Sequence, residues 1–285
     1  MDDVTNVASL PQYADRKTTK SVDGKNVTGY FVSDFLYSEL QDIRLVQRLS
    51  ERTTLYNNLL EIPTFTSIMS LAQTQYSKTG GHLVGIYPEL KHPSFFHELG
   101  WAMEDMLLEA LTAGGYEVYG SAVPNNLQQV VPVVVQCFDP ESLVYLRNKT
   151  TLPLILLLEA VDPSFWNSDN LNQIASFADG IGPDKSYFAT ASYEDATQTV
   201  SAVRNANLRM HPYTFRADQD IGKVFNGDFA TELMFYYCCL GMDALFSEFP
   251  DRSREALDFM GNYTTSVQSA GSSTAADCPI QCDAY

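Results

Sequence analysis

Residues Pro153-Leu154-Ile155-Leu156-Leu157-Leu158-Glu159 set an unbroken aliphatic run between a proline and a carboxylate. Alternation of polar and apolar residues would mark a strand wet on one face. A continuous run marks a strand buried on both faces, and that is the habit of parallel sheets. Working outward, similar short runs lie at Leu83–Tyr87 and Val133–Phe138 upstream, and at Asp179–Gly182, Leu208–Tyr213 and Asp243–Phe246 downstream. Amphipathic segments separate them, at about 99–113, 140–148, 170–178, 192–206, 229–240 and 251–261. Strand and helix periods thus alternate six times, which predicts an α/β fold with a parallel sheet. Either a TIM barrel or an open doubly wound sheet would satisfy this pattern. No Gly-x-Gly-x-x-Gly turn follows any strand, so dinucleotide binding lacks its usual signal.

Before residue 82 the pattern differs, and no buried strand is expected. Asp34–Gln47 reads as a helix with Leu36, Leu40 and Ile43 on one face. A second helix is expected over Phe65–Gln75, with Thr64 as its N-cap. The opening Met1-Asp2-Asp3-Val4-Thr5 has neither a basic nor an apolar leader segment and reads like the interior of a domain. From Tyr263 to Tyr285 the chain is rich in Ser, Thr and Ala, which predicts a flexible tail after a domain of residues 1–262.

Composition narrows the functional classes. The 285 residues include 16 Phe and 16 Tyr, too many aromatic rings for a disordered chain. Lys and Arg number 18 against 35 Asp and Glu, a net charge of −17. Such a field repels nucleic acid and anionic lipid, and no apolar run is long enough to span a membrane. Five cysteines do not make a disulfide scaffold. Cys238 and Cys239 read as buried helix residues, whereas Cys278 and Cys282 form either a disulfide of their own or two idle thiols.

In either parallel architecture, chemistry lies beyond the carboxyl ends of the strands. Those positions hold Glu89 and Lys91, Asp139, Glu159 and Asp162, Asp184 and Lys185, Arg216, and Glu248. Turns are polar anyway, and Asp139 before Pro140 has the form of a helix N-cap. Glu89 and Lys91 differ, because alternation along an extended segment points both to one face. A carboxylate for a divalent cation beside an ammonium for a phosphate suits phosphoryl chemistry, and a simple ion pair at the rim fits the spacing equally well.

Seven segments then keep one order. Tyr87-Pro88-Glu89-Leu90-Lys91 resembles the Y-P-E-[IL]-K segment of the glycerophosphodiester phosphodiesterase family. Asp3-Val4-Thr5-Asn6-Val7 is similar to its D-x-T-[ND]-V stretch, and Glu61-Ile62-Pro63-Thr64-Phe65 to its E-I-P-T-F helix start. Gln136-Cys137-Phe138-Asp139-Pro140 resembles Q-S-F-x-P with Cys137 in place of Ser. Gly180-Ile181-Gly182-Pro183, His211-Pro212-Tyr213-Thr214-Phe215-Arg216 and Asp243-Ala244-Leu245-Phe246-Ser247-Glu248-Phe249-Pro250 complete the series. The long segments around 20–35 and 114–132 look like loops of the larger eukaryotic members.

The resemblance implies a TIM barrel that hydrolyses glycerophosphodiesters to glycerol 3-phosphate and an alcohol with a divalent metal, Mg²⁺ or Ca²⁺, in glycerol and lipid metabolism. It implies Glu89 as a metal ligand, Lys91 beside the phosphate, and Phe138, Tyr213 and Phe215 along the glycerol side. It implies a small-molecule diester as partner, and the larger members together with the acidic charge lean toward a secreted or luminal setting. The family's H-R, E-x-D and H-D motifs, which carry the acid/base histidines and the remaining metal ligands, do not occur in these residues. His82, His92, His97 and His211 match none of the family's catalytic positions: His82 reads as a strand-entry residue, His92 and His97 as loop residues, and His211 as a satisfied core histidine. The expectation is therefore about six of the eight strands, with the first two βα units missing, open sheet edges that invite self-association, and no catalytic residue of the acid/base pair. A non-catalytic truncated barrel that serves as a binding module is the alternative.

Overall fold

The computed structural model describes residues 1–78, 84–116, 118, 132–159, 162–219, 225–269 and 278–282. The chain forms two compact units. The first comprises Met1–Ile86 and His92–Pro132, and the second Tyr87–Lys91 and Val133–Tyr285.

In the first unit an exposed antiparallel hairpin joins β1 (Thr18–Val22) to β2 (Lys25–Gly29), where the segment around 20–35 reads as loop. The chain turns at Asp23 and Gly24, both at positive φ, as a tight hairpin needs. Helix α1 (Tyr37–Leu40) has a single turn. The longer helix expected over Asp34–Gln47 is therefore corrected: Ile43 is fully buried, but Arg44 and Leu45 bridge to Glu61 and Thr5 as extended chain. Tertiary pairing overrides the local helical spacing here. Val7, Tyr13, Tyr30, Phe35 and Ile43 form the small core. The Thr5-Asn6 pair serves this packing, because Thr5 is buried and Asn6 Oδ1 accepts from the Arg44 amide at 2.9 Å.

Helix α2 (Phe65–Lys78) starts where expected, with the Ser67 amide donating to Thr64 Oγ1 at 3.1 Å. Helices α3 (Pro93–Glu98) and α4 (Met103–Ala113) follow. His97, expected in a loop, lies in α3 and faces the buried Glu104 carboxylate at 2.7 Å. His92 faces Asp23 at 2.6 Å. His82 and most of 114–132 lie outside the described residues.

The second unit holds five parallel strands in the order β3 (Glu89–Leu90), β4 (Val135–Cys137), β5 (Leu154–Leu158), β6 (Gly180–Pro183) and β7 (Arg209–Met210). Between and after them run α5 (Pro140–Arg147), α6 (Ser168–Ala175), α7 (Ser186–Thr190), α8 (Tyr193–Asn205), α9 (Phe229–Met234) and α10 (Pro250–Ser269). Every strand pairs with its successor in the chain. A doubly wound sheet would reverse at a switch point, so this order is that of a barrel-type winding. The sixth expected strand is present as a ribbon along 210–215. The Asp243 amide donates to the Met210 carbonyl, Phe246 to Pro212, and Phe215 in turn to Phe246 at 2.8 Å.

β3 begins later than Leu83–Tyr87, with Leu83 itself outside the described residues. Pro88 has no N–H to give, so regular pairing starts only at Glu89, although the Pro88 carbonyl still accepts from the Gln136 amide at 3.0 Å.

The strand interiors are close to water-free, with Val135, Cys137, Leu154 and Ile181 fully buried. Gly180 and Gly182 are required by this packing. A Cβ on Gly180 would lie 2.7 Å from Ile155 Cδ1 and 2.8 Å from the Arg209 carbonyl. At the far end, residues 270–277 and 283–285 of the segment expected as a tail lie outside the described residues. Helix α10 runs through residue 263 to Ser269, and Cys278 and Cys282 pair not with each other but with Cys238 and Cys239. Adjacent cysteines in one helical turn cannot bridge to each other easily, but they present two sulfurs to an incoming segment.

Candidate active site

The carboxyl ends of β3 to β7 gather the polar residues singled out above. Glu89 opens β3 and pairs with Gln136, while Leu90 beside it turns into the core at 5% exposure. Glu89 Oε1 is buried and has no hydrogen-bond partner among the described residues. Lys91 is exposed, and none of the described residues pairs with its ammonium.

Tyr213 sits at the centre of this face. Its hydroxyl donates to the Leu158 carbonyl at 2.8 Å, and Phe138 meets its ring edge-on with centroids 5.9 Å apart. Burial first, then the charges of Asp184, Glu159 and Glu89, push the Tyr213 hydroxyl up to about 12. Three carboxylates from three strand ends thus act on one phenol. Phe138, at 39% exposure, presents its ring to solvent beyond Tyr213.

Phe215 departs from the expectation that it lines the pocket. It is fully buried, with its ring 4.8 Å from that of Tyr236 and the Lys185 ammonium 4.9 Å above it. It supports the face from below. Lys185 in turn donates to Glu232 Oε1 at 2.7 Å, and Glu232 Oε2 is buried with no partner among the described residues. Sequence reading missed Glu232 and Tyr236. The available signal was a lone carboxylate inside the apolar stretch Phe229–Leu240.

The other strand-end groups have local work. Asp139 caps α5 by accepting from the Glu141 amide at 2.9 Å, as its place before Pro140 suggests. Arg216 holds both oxygens of Asp218, at 2.9 and 3.1 Å. His211 is 7% exposed, and its Nδ1 lies 2.8 Å from the Tyr87 hydroxyl. Burial holds its imidazole below the usual histidine range, with Asp243 opposing and Arg209 adding to the shift.

A hard divalent cation requires oxygen donors, and an unpartnered buried carboxylate oxygen fits that need. Glu89 therefore fits as one ligand. Among the described residues, no set of three carboxylates or imidazoles lies within 4.8 Å of one another, so the rest of a coordination shell is not supplied by them. The three clustered sulfurs of Cys239, Cys278 and Cys282 belong to disulfides and are not thiolate ligands.

The sequence profile of the glycerophosphoryl diester phosphodiesterase family matches residues 2–252. The chain belongs to that family. It is 33% identical over 269 residues to the Arabidopsis thaliana glycerophosphodiester phosphodiesterase GDPD6, a match that covers 87% of this chain and 70% of the relative. A glycerophosphodiester phosphodiesterase of Haemophilus influenzae is 25% identical over 303 residues, covering 90% of this chain and 76% of the other. A solved Agrobacterium tumefaciens structure assigned to the glycerophosphoryl diester phosphodiesterases superposes with a TM-score of 0.50 at 14% identity. It covers 88% of this chain and 79% of its own, and at that identity the likeness speaks for the fold. The family's fold is a TIM barrel, and the sequential parallel strands of the second unit are of that type. Among the described residues, no helix is long and apolar enough to cross a membrane.

Proposed function

We propose that the carboxyl face of this sheet binds a glycerophosphodiester, whose hydrolysis to glycerol 3-phosphate and an alcohol is the family activity. The observation that carries the reading is Glu89 Oε1, buried, without a partner among the described residues, and in the two-residue strand that bears the family's Y-P-E-x-K segment. Glu89 would hold a divalent cation, Mg²⁺ or Ca²⁺, which when bound supplies charge stabilisation at a phosphoryl oxygen. Lys91 offers the phosphate an ammonium that pairs with none of the described residues. The exposed ring of Phe138 and the half-buried ring of Tyr213 give the glycerol carbons an apolar wall.

Proton transfer is where these residues fall short. His211 is held in the core by Tyr87, and His92 and His97 are engaged by carboxylates of the first unit. A positioned acid or base contributes about 10²–10⁴ in rate. With His82 outside the described residues, the described residues bind the diester but turn it over slowly. Assaying glycerol 3-phosphate release with Mg²⁺ or Ca²⁺ tests this. Turnover far below that of the Haemophilus influenzae relative in the same assay is expected. Equal turnover would mean that a proton donor has been overlooked.

The second reading, a binding module without turnover, rests on the same missing histidines. It predicts product binding with no detectable hydrolysis even after long incubation.

A further inference from the structure

Beyond Met234, helix α9 runs on into a π-helical turn, Phe235–Cys239, that ends with the adjacent Cys238 and Cys239. The segment Cys278-Pro279-Ile280-Gln281-Cys282 returns to that turn, and its two cysteines form the disulfides Cys238–Cys278 and Cys239–Cys282. The two bonds are neighbours rather than separate staples. Cys239 Sγ lies 3.7 Å from Cys278 Sγ, a sulfur it is not bonded to. The sulfurs of Cys239, Cys278 and Cys282 all lie within 4.8 Å of one another. None of the four cysteines is sealed in the core: each is partly exposed, where a small reductant and an ion can arrive.

These spacings suit a chemistry that the oxidised bonds do not use. A tetrahedral zinc site holds its sulfurs about 2.3 Å from the ion, so the edge of the sulfur tetrahedron is about 3.8 Å. The unbonded 3.7 Å contact already has that length. Cys278 and Cys282 have three residues between them, a spacing at which one segment supplies two ligands to zinc. Among the described residues, no imidazole or carboxylate joins the cluster, so its donors are all sulfur. Thiolates favour a soft ion such as Zn²⁺ over Mg²⁺ or Ca²⁺, whereas a carboxylate oxygen such as that of Glu89 suits the hard ions.

We propose that these four cysteines are a redox-gated zinc site, two disulfides when oxidised and one Zn²⁺ held by four thiolates when reduced. A dithiol reductant delivers two electrons and two protons to each disulfide and is itself oxidised to a disulfide, so two dithiols open the clamp to four thiols. Zinc then forms four Zn–S bonds and displaces four protons. The ion takes over the work of the disulfides, because it ties the C-terminal segment to the turn that follows α9. The diester reading has no part in this.

The test uses the whole chain, reduced with a dithiol that is then removed without oxygen, and titrated with Co²⁺ followed by Zn²⁺. Co²⁺ is the coloured probe: it absorbs strongly in a tetrahedral sulfur site and weakly at an oxygen site such as Glu89. One Co²⁺ per reduced chain gives the tetrahedral spectrum, one Zn²⁺ displaces it, and the oxidised chain gives no such spectrum. Cys278→Ser shifts the spectrum and weakens binding, and the double variant Cys278→Ser/Cys282→Ser loses it. Cys137→Ser, which changes the cysteine outside the cluster, leaves it unaltered. Zinc also raises the melting temperature of the reduced native chain and not that of the reduced double variant. The same titration in urea separates a site built by the fold from loose thiols, since binding there is much weaker. No tetrahedral spectrum on reduction, a spectrum unchanged in Cys278→Ser, binding as tight in urea as in buffer, or a melting temperature indifferent to zinc overturns the proposal and leaves structural disulfides only.

Discussion

The Tyr87 hydroxyl lies 2.8 Å from Nδ1 of the buried His211 in the second unit. In the neutral imidazole protonated at Nε2, the phenol donates and Nδ1 accepts. Burial pushes the Tyr87 hydroxyl well above its usual range and the imidazole below its own, so both stay neutral. Removing the phenol by Tyr87→Phe leaves a buried acceptor unpaired. A loss of about 1–3 kcal/mol in a urea unfolding curve is expected.

The same pair sets a pH dependence. His211 binds its proton less readily folded than unfolded, so below about pH 6.5 the unfolded chain takes up the extra proton. This contribution to stability is fully present above that pH and declines as pH falls toward the depressed folded value. Asp243 works against the shift and Arg209 with it. Stability measured from pH 8 down to pH 5 falls, and His211→Gln flattens the decline. A wild-type curve without slope in that window would contradict the assignment.

Gly180 has no room for a methyl group, with Ile155 Cδ1 and the Arg209 carbonyl both under 3.0 Å from a Cβ built there. One obstacle is backbone and cannot rotate away. Gly180→Ala is expected to cost about 1–3 kcal/mol by thermal or chemical denaturation.

Thiol chemistry checks the C-terminal clamp. Cys137 is the one cysteine outside a disulfide, and it is buried. Native protein should react with no thiol reagent, unfolded unreduced protein at one position, and reduced unfolded protein at all five cysteines. Reduction should lower stability by about 2–4 kcal/mol. Such bonds persist where the compartment is oxidising, and the thiol count of protein taken from its own cells reports that directly.

Much of this was readable from residue patterns, and the failures share a cause. The aliphatic runs at 133–138 and 154–158 identify strands because burial on both faces leaves no other composition open to them. Glu89, Lys91, Phe138 and Tyr213 lie at strand ends, and strand ends are visible in sequence. Phe215 shares its strand parity with Tyr213, and its burial against Tyr236 and Lys185 depends on distant segments that local spacing does not record. The cysteine pairing and Glu232 depend on which helix returns to which segment, and local spacing carries no record of that. The lost helix at 34–47 belongs with them, since pairing with residues 5 and 61 decided it.

The central claim is that Glu89 anchors the cation on which a phosphate ligand depends. Calorimetric titration of glycerol 3-phosphate in the presence and absence of Mg²⁺ or Ca²⁺, on the native chain and on Glu89→Gln, addresses it most directly. Binding that requires the cation in the native chain and is lost in Glu89→Gln is the predicted result. Binding of the same strength in Glu89→Gln, or binding indifferent to the cation, would contradict it.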